Sequence, residues 1–249
     1  MIERDGDDVT IHLGSPASSV ISMVGTASVG VRGYRSTQHL WSAKRAAREC
    51  SEIEDRIAGT NAADIALESC ATNAVMLSVA FMEAAVNEVL QDLAEAEPGR
   101  VSHRCKGIEP EAAPLIRALW VTPARLERAG ILEKYQVALT ATRKPEFDTS
   151  TNPYQSAVKL IALRNALVHF KPEWQMDDDE HKMFKMLKGL FPESRVFPNP
   201  VSPWYPHVCL ASGCAEWAHK TATAFVDEWW VRMGIERDYR VDLGGFPPP

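Results

Sequence analysis

Several features that would place a protein in a special class are missing from this chain. It has no excess of positive charge, because 27 lysines and arginines are outnumbered by 33 aspartates and glutamates, which gives a net charge of −6. A protein that coats nucleic acid non-specifically needs the opposite balance. The charge argues against that class but leaves room for a small basic site on an acidic body.

The chain is also poor in cysteine and in long apolar runs. Its five cysteines form an odd, scattered set, which indicates reduced thiols in the cytoplasm and no disulfide framework. The acidic N-terminus does not resemble a signal peptide, and the most apolar run, Ala74–Met82, is too short to span a bilayer. Walker, G-x-G-x-x-G, G-x-S-x-G and lipidation motifs are missing. We therefore expect a cytoplasmic protein with no cofactor and no membrane partner.

The composition that remains is that of an ordinary globular protein, with 45% hydrophobic and 24% charged residues. The 249 residues suffice for one large domain with or without appendages. Residues 1–35 differ from the rest, because the β-prone segments Val9–Leu13, Val20–Val24 and Ala27–Val31 are separated by glycines. These residues predict a β-prone N-terminal arm or a small hairpin.

Helical periodicity begins at Ser36. Apolar residues at steps of three and four predict a helix over Ser36–Ile57, and Asn61 is the expected cap of a long helix that ends near Glu97. Shorter helices are expected over residues 110–142. The first half of the chain is therefore predicted to be mainly α after the N-terminal arm.

The C-terminal half continues the helical pattern. The acidic run Asp177–Glu180 is expected to open a helix that ends at Gly189, and the five prolines of residues 191–206 predict an extended connection. Ser212 is the expected cap of a final amphipathic helix. We predict a helical domain over residues 36–234 and a flexible C-terminal tail over residues 235–249.

The chain is organised around the stretch Asn152–Pro172. Asn152 is suited to cap a helix, Gln155 completes a capping-box pattern, and Pro172 should end the helix near Phe170. The residues between these limits are apolar nearly all round, which predicts a buried helix.

Polar residues inside this helix need an explanation. Arg164, Asn165 and His169 lie among apolar neighbours, and Asn165 and His169 share a face because they are four residues apart. Buried polar groups require partners, which the fold, a second subunit or a ligand must supply. Glu83 and Asn87 form a second polar pair, also four apart, on the other apolar helix.

The run Arg164-Asn165-Ala166-Leu167-Val168-His169 resembles the R-x4-H motif near the end of the last core helix of HEPN domains (higher eukaryotes and prokaryotes nucleotide-binding). The run SVAFMEAAVNEVL is similar to an early core helix of bacterial HEPN-like proteins, and CAEWAHKTATAFVDEW to their closing helix. The resemblance covers residues 61–97 and 152–234.

The resemblance implies an up-and-down helical bundle that forms a homodimer, with the motifs of two subunits facing each other across a cleft. In active members this cleft is a metal-independent endoribonuclease site, and a toxin or defence effector regulated by an antitoxin or other protein is the setting we expect. His169 would move a proton, Arg164 would bind the phosphate, and Asn165 would orient the imidazole or the substrate. Glu83, Asn87 and Lys171 are the expected supporting or substrate-binding residues.

Two alternatives remain open from the sequence. The chain is either a non-catalytic HEPN-like module for dimerisation or partner binding, or a helical protein outside this family in which Arg164 pairs with a residue such as Glu83. A zinc site at His207, Cys209, Cys214 and His219 is disfavoured, because the spacing H-x-C-x4-C-x4-H matches no common ligand set. A set of scattered basic residues either lines a path for RNA or forms an ordinary solvated surface. These residues are Arg35, Lys44, Arg45, Arg48, Arg100, Arg104 and Lys106.

Overall fold

The structure is a computed structural model that describes residues 2–5, 8–11, 32–121, 126–172, 181–197 and 203–243. By its contacts the chain divides into two units, Met1–Gly33 and Tyr34–Pro249. In the first unit, β1 (Ile2–Asp5) pairs antiparallel with β2 (Asp8–Ile11). The predicted β-prone segments at residues 20–24 and 27–31 lie outside the described residues.

The second unit is mainly helical, which confirms the predicted α class. Its described residues form seven α-helices: α1 (Ser36–Ile57), α2 (Ile65–Ala94), α3 (Ala112–Val121), α4 (Ile131–Ala141), α5 (Tyr154–Val168), α6 (Lys182–Leu187) and α7 (Ser212–Met233). The arrangement is consistent with a helical bundle, in which α2 packs against α1, α3, α4, α5 and α7.

The central helix α2 begins three residues later than predicted, because its cap is Asp64 and not Asn61. Asp64 caps it by accepting a hydrogen bond from the Leu67 backbone N–H at 2.8 Å. Asn61 is not the cap, because its φ of 57° places it in the left-handed region, and its N–H donates to the Val196 carbonyl instead. The capping role therefore falls to the next acidic residue along the chain.

Helix α2 is long and apolar enough, by length and composition, to cross a membrane. Its apolar residues include Val75, Phe81, Val86 and Leu90, all of which are buried against other helices of the same unit. This burial is consistent with the core helix of a soluble protein, because these four side chains are covered by protein.

Aromatic side chains join α2, α4 and α7 in the core. The Tyr135 ring lies edge-on to Phe225 and to Trp229, with 4.8 Å between ring centroids in each pair. Its hydroxyl donates to the Met82 carbonyl at 2.6 Å, and burial raises the pKa of Tyr135 well above its ordinary value. The phenol is therefore neutral and serves as a fixed hydrogen-bond donor between α4 and α2.

Helix α5 differs from the predicted helix that is buried on all sides. Only Ala157, Leu160 and Leu163 are fully buried, along one narrow stripe. Val168 is 47% exposed and Phe170, just past the helix, is 53% exposed. The prediction was wrong because an apolar composition shows that a surface avoids water but not whether this chain or another molecule covers it.

The chain after α7 is packed, so the helical unit extends beyond the predicted boundary at Gly234. Ile235 and Tyr239 are buried, and the Tyr239 hydroxyl donates to Asp227 at 2.7 Å. Residues 244–249 of the predicted flexible tail lie outside the described residues.

A buried carboxylate near the end of α1 holds two distant segments together. Glu54 is only 1% exposed. One of its oxygens accepts from the Arg195 backbone N–H at 2.7 Å, and the other accepts from the backbone N–H and the hydroxyl of Ser212 at the start of α7. The Arg195 guanidinium lies 3.5 Å from the same carboxylate. Glu54 therefore fixes both ends of the connection between residues 195 and 212.

Replacement of Glu54 by Ala is expected to lower the free energy of unfolding by about 3 kcal/mol, because buried N–H groups lose their acceptor. Glu52→Ala is the matched control on the same helix, since the Glu52 carboxylate is exposed and lies 3.7 Å from Arg48. The control should cost about 0.5 kcal/mol or less. Urea unfolding measures both, and equal losses would contradict the assigned role of Glu54.

Candidate functional site

An open cleft of about 680 Å³ lies beside the C-terminal half of α5. We call it the motif cleft, and it is bounded by α5, by the residues that follow it, by the start of α6 and by the segment Pro203–His207. Its lining includes the polar side chains Asn165, His169, Lys171, His181, Lys182 and His207.

Helix α5 brings two of the three motif residues into this cleft. Asn165 and His169 both line it and both are exposed. At about 100° per residue, Asn165 lies about 40° around the helix from His169, whereas Arg164 lies about 140° from it. The structure therefore brings Asn165 and His169 together and places Arg164 on another face.

Arg164 lies on the side of α5 that also carries Leu160, and it is half-buried. Its Nε is buried and finds no hydrogen-bond acceptor among the described residues. Within the described residues no ion pair joins Glu83 to Arg164, and the Glu83 carboxylate instead lies 3.9 Å from Lys134. A buried N–H without an acceptor is costly, so this guanidinium favours a partner outside the described residues.

His207 is held by a carboxylate from a distant element. Its Nδ1 lies 2.6 Å from Oε1 of Glu68, in the first turn of α2. A carboxylate accepts the hydrogen bond in this contact when Nδ1 carries the proton, and in the neutral form of that ring Nε2 is the nitrogen with a lone pair. The histidine therefore lines the cleft in a defined tautomer.

His181 is set in the opposite sense. Its Nδ1 accepts from the Met183 backbone N–H at 3.0 Å, and its ring stacks on Tyr205 at 4.9 Å with an angle of 9° between the planes. Burial raises the pKa of Tyr205 to about 12, so this phenol is neutral at physiological pH. The stacked pair forms a flat wall of the cleft.

Positive charge enters the cleft from Lys171 and Lys182. Among the described residues that line it, there is no aspartate or glutamate. The acidic run Asp177–Glu180 lies outside the described residues, so its predicted role in opening α6 is not tested. The described lining is suited to bind an anion rather than a cation.

Glu83 and Asn87 lie in a different part of the helical unit. Asn87 accepts from the Nζ of Lys134 at 2.9 Å, and Lys134 is buried. Burial lowers the pKa of Lys134, while the charge of Glu83 opposes that shift. Glu83 is 15 residues, or about 22 Å of helix, beyond Glu68. The two residues therefore solvate a buried lysine and do not line the motif cleft.

The residues considered for zinc serve other contacts. Cys209 and Cys214 are buried beside each other, and hydrogen bonding to Cys209 raises the pKa of Cys214. His219 instead contacts Glu216 at 2.8 Å on its own helix. No cluster of three His, Cys, Asp or Glu residues suited to a metal occurs in the described ranges.

Most of the scattered basic residues considered as an RNA path are already paired. Arg104 lies 3.1 Å from Glu88, Lys106 lies 2.7 Å from Glu236, and Arg45 lies 2.9 Å from Glu49. A second cleft of about 580 Å³, between α1 and the start of α7, has similar internal pairing, with Lys220 2.9 Å from Glu216. Paired charges attract a ligand less than unpaired ones, so the motif cleft is the better candidate site.

Comparisons with protein-family models, with curated proteins and with solved structures find no match to this chain. The candidate site therefore depends on its own geometry. The sequence predicted Asn165, His169 and Lys171, and the structure adds His181, Lys182, Tyr205 and His207. Sequence reasoning missed the Glu68–His207 contact because 139 residues separate its members and no motif links them.

Replacement of Arg164 by Met should change the free energy of unfolding by less than about 1 kcal/mol, because no hydrogen bond within the described chain is lost and an apolar stem is retained. Lys134→Ala is the comparison, since it removes a buried cation that has partners, and it should cost about 2–4 kcal/mol. Urea unfolding of both variants distinguishes the cases. A loss at Arg164 as large as that at Lys134 would show that the arginine is a structural residue of the fold.

Proposed function

We propose that this chain is a metal-independent endoribonuclease of the HEPN type that acts as a homodimer. The observation that carries the proposal is the motif cleft, in which Asn165 and His169 of the R-x4-H motif line an open site together with two further histidines and two lysines. Its volume of about 680 Å³ falls in the range of ligand-binding sites.

The side chains that line the cleft are suited to RNA cleavage in which the 2′-hydroxyl of the RNA is the nucleophile. A 2′-hydroxyl that loses its proton to an imidazole attacks the adjacent phosphorus, and the 5′-oxygen leaves when it receives a proton. His169 is suited to exchange a proton near neutral pH, and Asn165 hydrogen-bonds the phosphate or the imidazole. The products are a 2′,3′-cyclic phosphate and a 5′-hydroxyl.

The distribution of charge supports an anionic substrate. The whole chain has a net charge of −6, yet the described lining of the motif cleft contributes Lys171 and Lys182 and no carboxylate. A local positive field in a cleft binds a phosphodiester and stabilises the charge that grows in the transition state. Arg164 lies on another face of α5, where a second subunit would supply the partner that its buried Nε lacks among the described residues.

The biological setting in this proposal is a cytoplasmic toxin or defence effector, regulated by an antitoxin or another protein. It follows from the family resemblance. The five free cysteines of the chain fit a reducing compartment.

His169→Ala is expected to lower the rate of RNA cleavage by about 10²–10⁴, equally in EDTA and in added magnesium, because it removes a proton-transfer group. His219→Ala is the control, since that histidine pairs with Glu216 and is absent from the described lining of the cleft. Cleavage of single-stranded RNA followed on gels, with mass analysis of the products, measures the effect. Unchanged cleavage by His169→Ala would remove the ribonuclease proposal.

The exposed face of α5 supports a dimer. Val158, Asn165, Val168 and His169 fall within an arc of about 100° around the helix. Val158 is 37% exposed and Val168 is 47% exposed, so apolar surface adjoins the motif residues. A second copy seated on this face would cover that surface and bring two motifs together.

Light scattering should give twice the mass of one chain, and Val168→Asp should give the monomer, because a charge in a covered apolar contact is costly. Val231→Asp on α7 is the control, since Val231 is 77% exposed on a different helix, and it should leave the dimer intact. A wild-type monomer at all concentrations would contradict this part of the proposal. A dimer that cleaves no RNA would favour a non-catalytic module.

A further inference from the structure

The Glu68–His207 pair has the geometry of an oriented general base. The 2.6 Å contact joins Oε1 of Glu68 to Nδ1 of His207, so the carboxylate determines both the tautomer and the orientation of the ring. The side chains of His207 and Glu68 are 40% and 26% exposed, respectively. The imidazole lines the cleft and is partly exposed, whereas Glu68 is not among the described residues that line it.

Two other histidines with hydrogen-bond contacts, His219 and His181, lack the features that this role requires. His219 also contacts a carboxylate, but through Nε2 to Glu216 three residues earlier on α7, and it is not among the described residues that line the motif cleft. The Nδ1 of His181 accepts a backbone N–H, which places the ring proton of the neutral form on Nε2. Within the described residues, His207 alone combines the cleft position with a carboxylate that leaves Nε2 as the acceptor.

We propose that His207 is a second catalytic residue of the motif cleft and that Glu68 is its positioning residue. This inference rests on the proposed ribonuclease function. Nε2 of His207 accepts the proton of the 2′-hydroxyl, and the 2′-oxygen forms its bond to phosphorus. The bond between phosphorus and the 5′-oxygen breaks, and the protonated imidazole of His169 gives its proton to the leaving oxygen.

The consequence concerns where the two imidazoles come from. His169 and His207 line the same cleft of one chain, so a single subunit supplies both the base and the acid. The resemblance alone implies a different arrangement, in which the second imidazole is His169 of the partner subunit. In our assignment the dimer completes or stabilises the cleft but does not provide the base.

The test compares two substrates at the cleavage site mapped with the wild-type protein. One is a short single-stranded RNA, and the other carries a sulfur in place of the bridging 5′-oxygen. A thiolate leaves without a proton, so the sulfur substrate bypasses the general acid but still needs the general base. Single-turnover rates are measured for wild type, His169→Ala, His207→Gln and Glu68→Gln.

We expect His169→Ala to be about 10²–10⁴ slower on the oxygen substrate and within about tenfold of wild type on the sulfur substrate. His207→Gln should be about 10²–10⁴ slower on both. Glu68→Gln should be about a hundredfold slower or more on both, because an amide can donate to Nδ1 and so place the ring proton on Nε2. The matched pair His219→Gln and Glu216→Gln should stay within about twofold of wild type.

Binding of a 2′-O-methyl RNA by fluorescence anisotropy separates catalysis from structure. His207→Gln should bind it within about threefold of wild type, because the glutamine retains a hydrogen-bonding group at the same position. A loss of binding as large as the loss of rate would overturn the catalytic assignment. Recovery of His207→Gln on the sulfur substrate would also overturn it, since His207 would then be the acid.

The remaining outcomes separate this inference from the proposed function. Wild-type rates for His207→Gln with a large loss for His169→Ala would overturn the inference and leave the ribonuclease in place, with its base elsewhere. Wild-type rates for both variants would reject the ribonuclease proposal itself.

Discussion

The buried carboxylate of Glu54 is the contact on which the motif cleft depends. It accepts hydrogen bonds from Arg195 and from Ser212, the two ends of the segment that carries Tyr205 and His207. A buried carboxylate is stable only where donors surround it, so the same contact that solvates Glu54 also fixes the ends of this segment. The cleft wall is thereby joined to α1, far from the motif helix in sequence.

Much of the helical framework is predictable because its signals are local. Helix α1 runs over Ser36–Ile57 as its apolar periodicity predicts, and α5 ends at Val168, close to the predicted end at Phe170. Caps are less predictable, since Asp64 replaces Asn61 through a backbone conformation that the sequence does not reveal. Polar residues on an apolar helix indicate that hydrogen-bond partners exist but do not identify them. The partner of Asn87, for example, is Lys134 on another helix.

The candidate site was predictable only in part. Asn165 and His169 stand out because they interrupt an apolar helix, whereas His207 directly follows the proline-rich residues 191–206, which predict an extended connection. In the structure the residues Trp204–Val208 form a kinked turn in which Tyr205 has an extended backbone, and Tyr205 and Val208 are buried. A proline-rich composition restricts the backbone conformation but does not indicate what the segment packs against. The contact between Glu68 and His207 spans 139 residues, and no periodic pattern in the sequence indicates it.

The central proposal is that one chain binds a phosphodiester between two of its own histidines, His169 and His207. A crystal structure of the protein with a short 2′-O-methyl RNA tests this most directly. The expected complex has the scissile phosphate in the motif cleft, with the 5′-oxygen about 2.7–3.2 Å from a ring nitrogen of His169 and the 2′-oxygen facing Nε2 of His207 of the same chain. RNA bound away from this cleft, or a phosphate held between the His169 side chains of two subunits with His207 apart from it, would contradict the account.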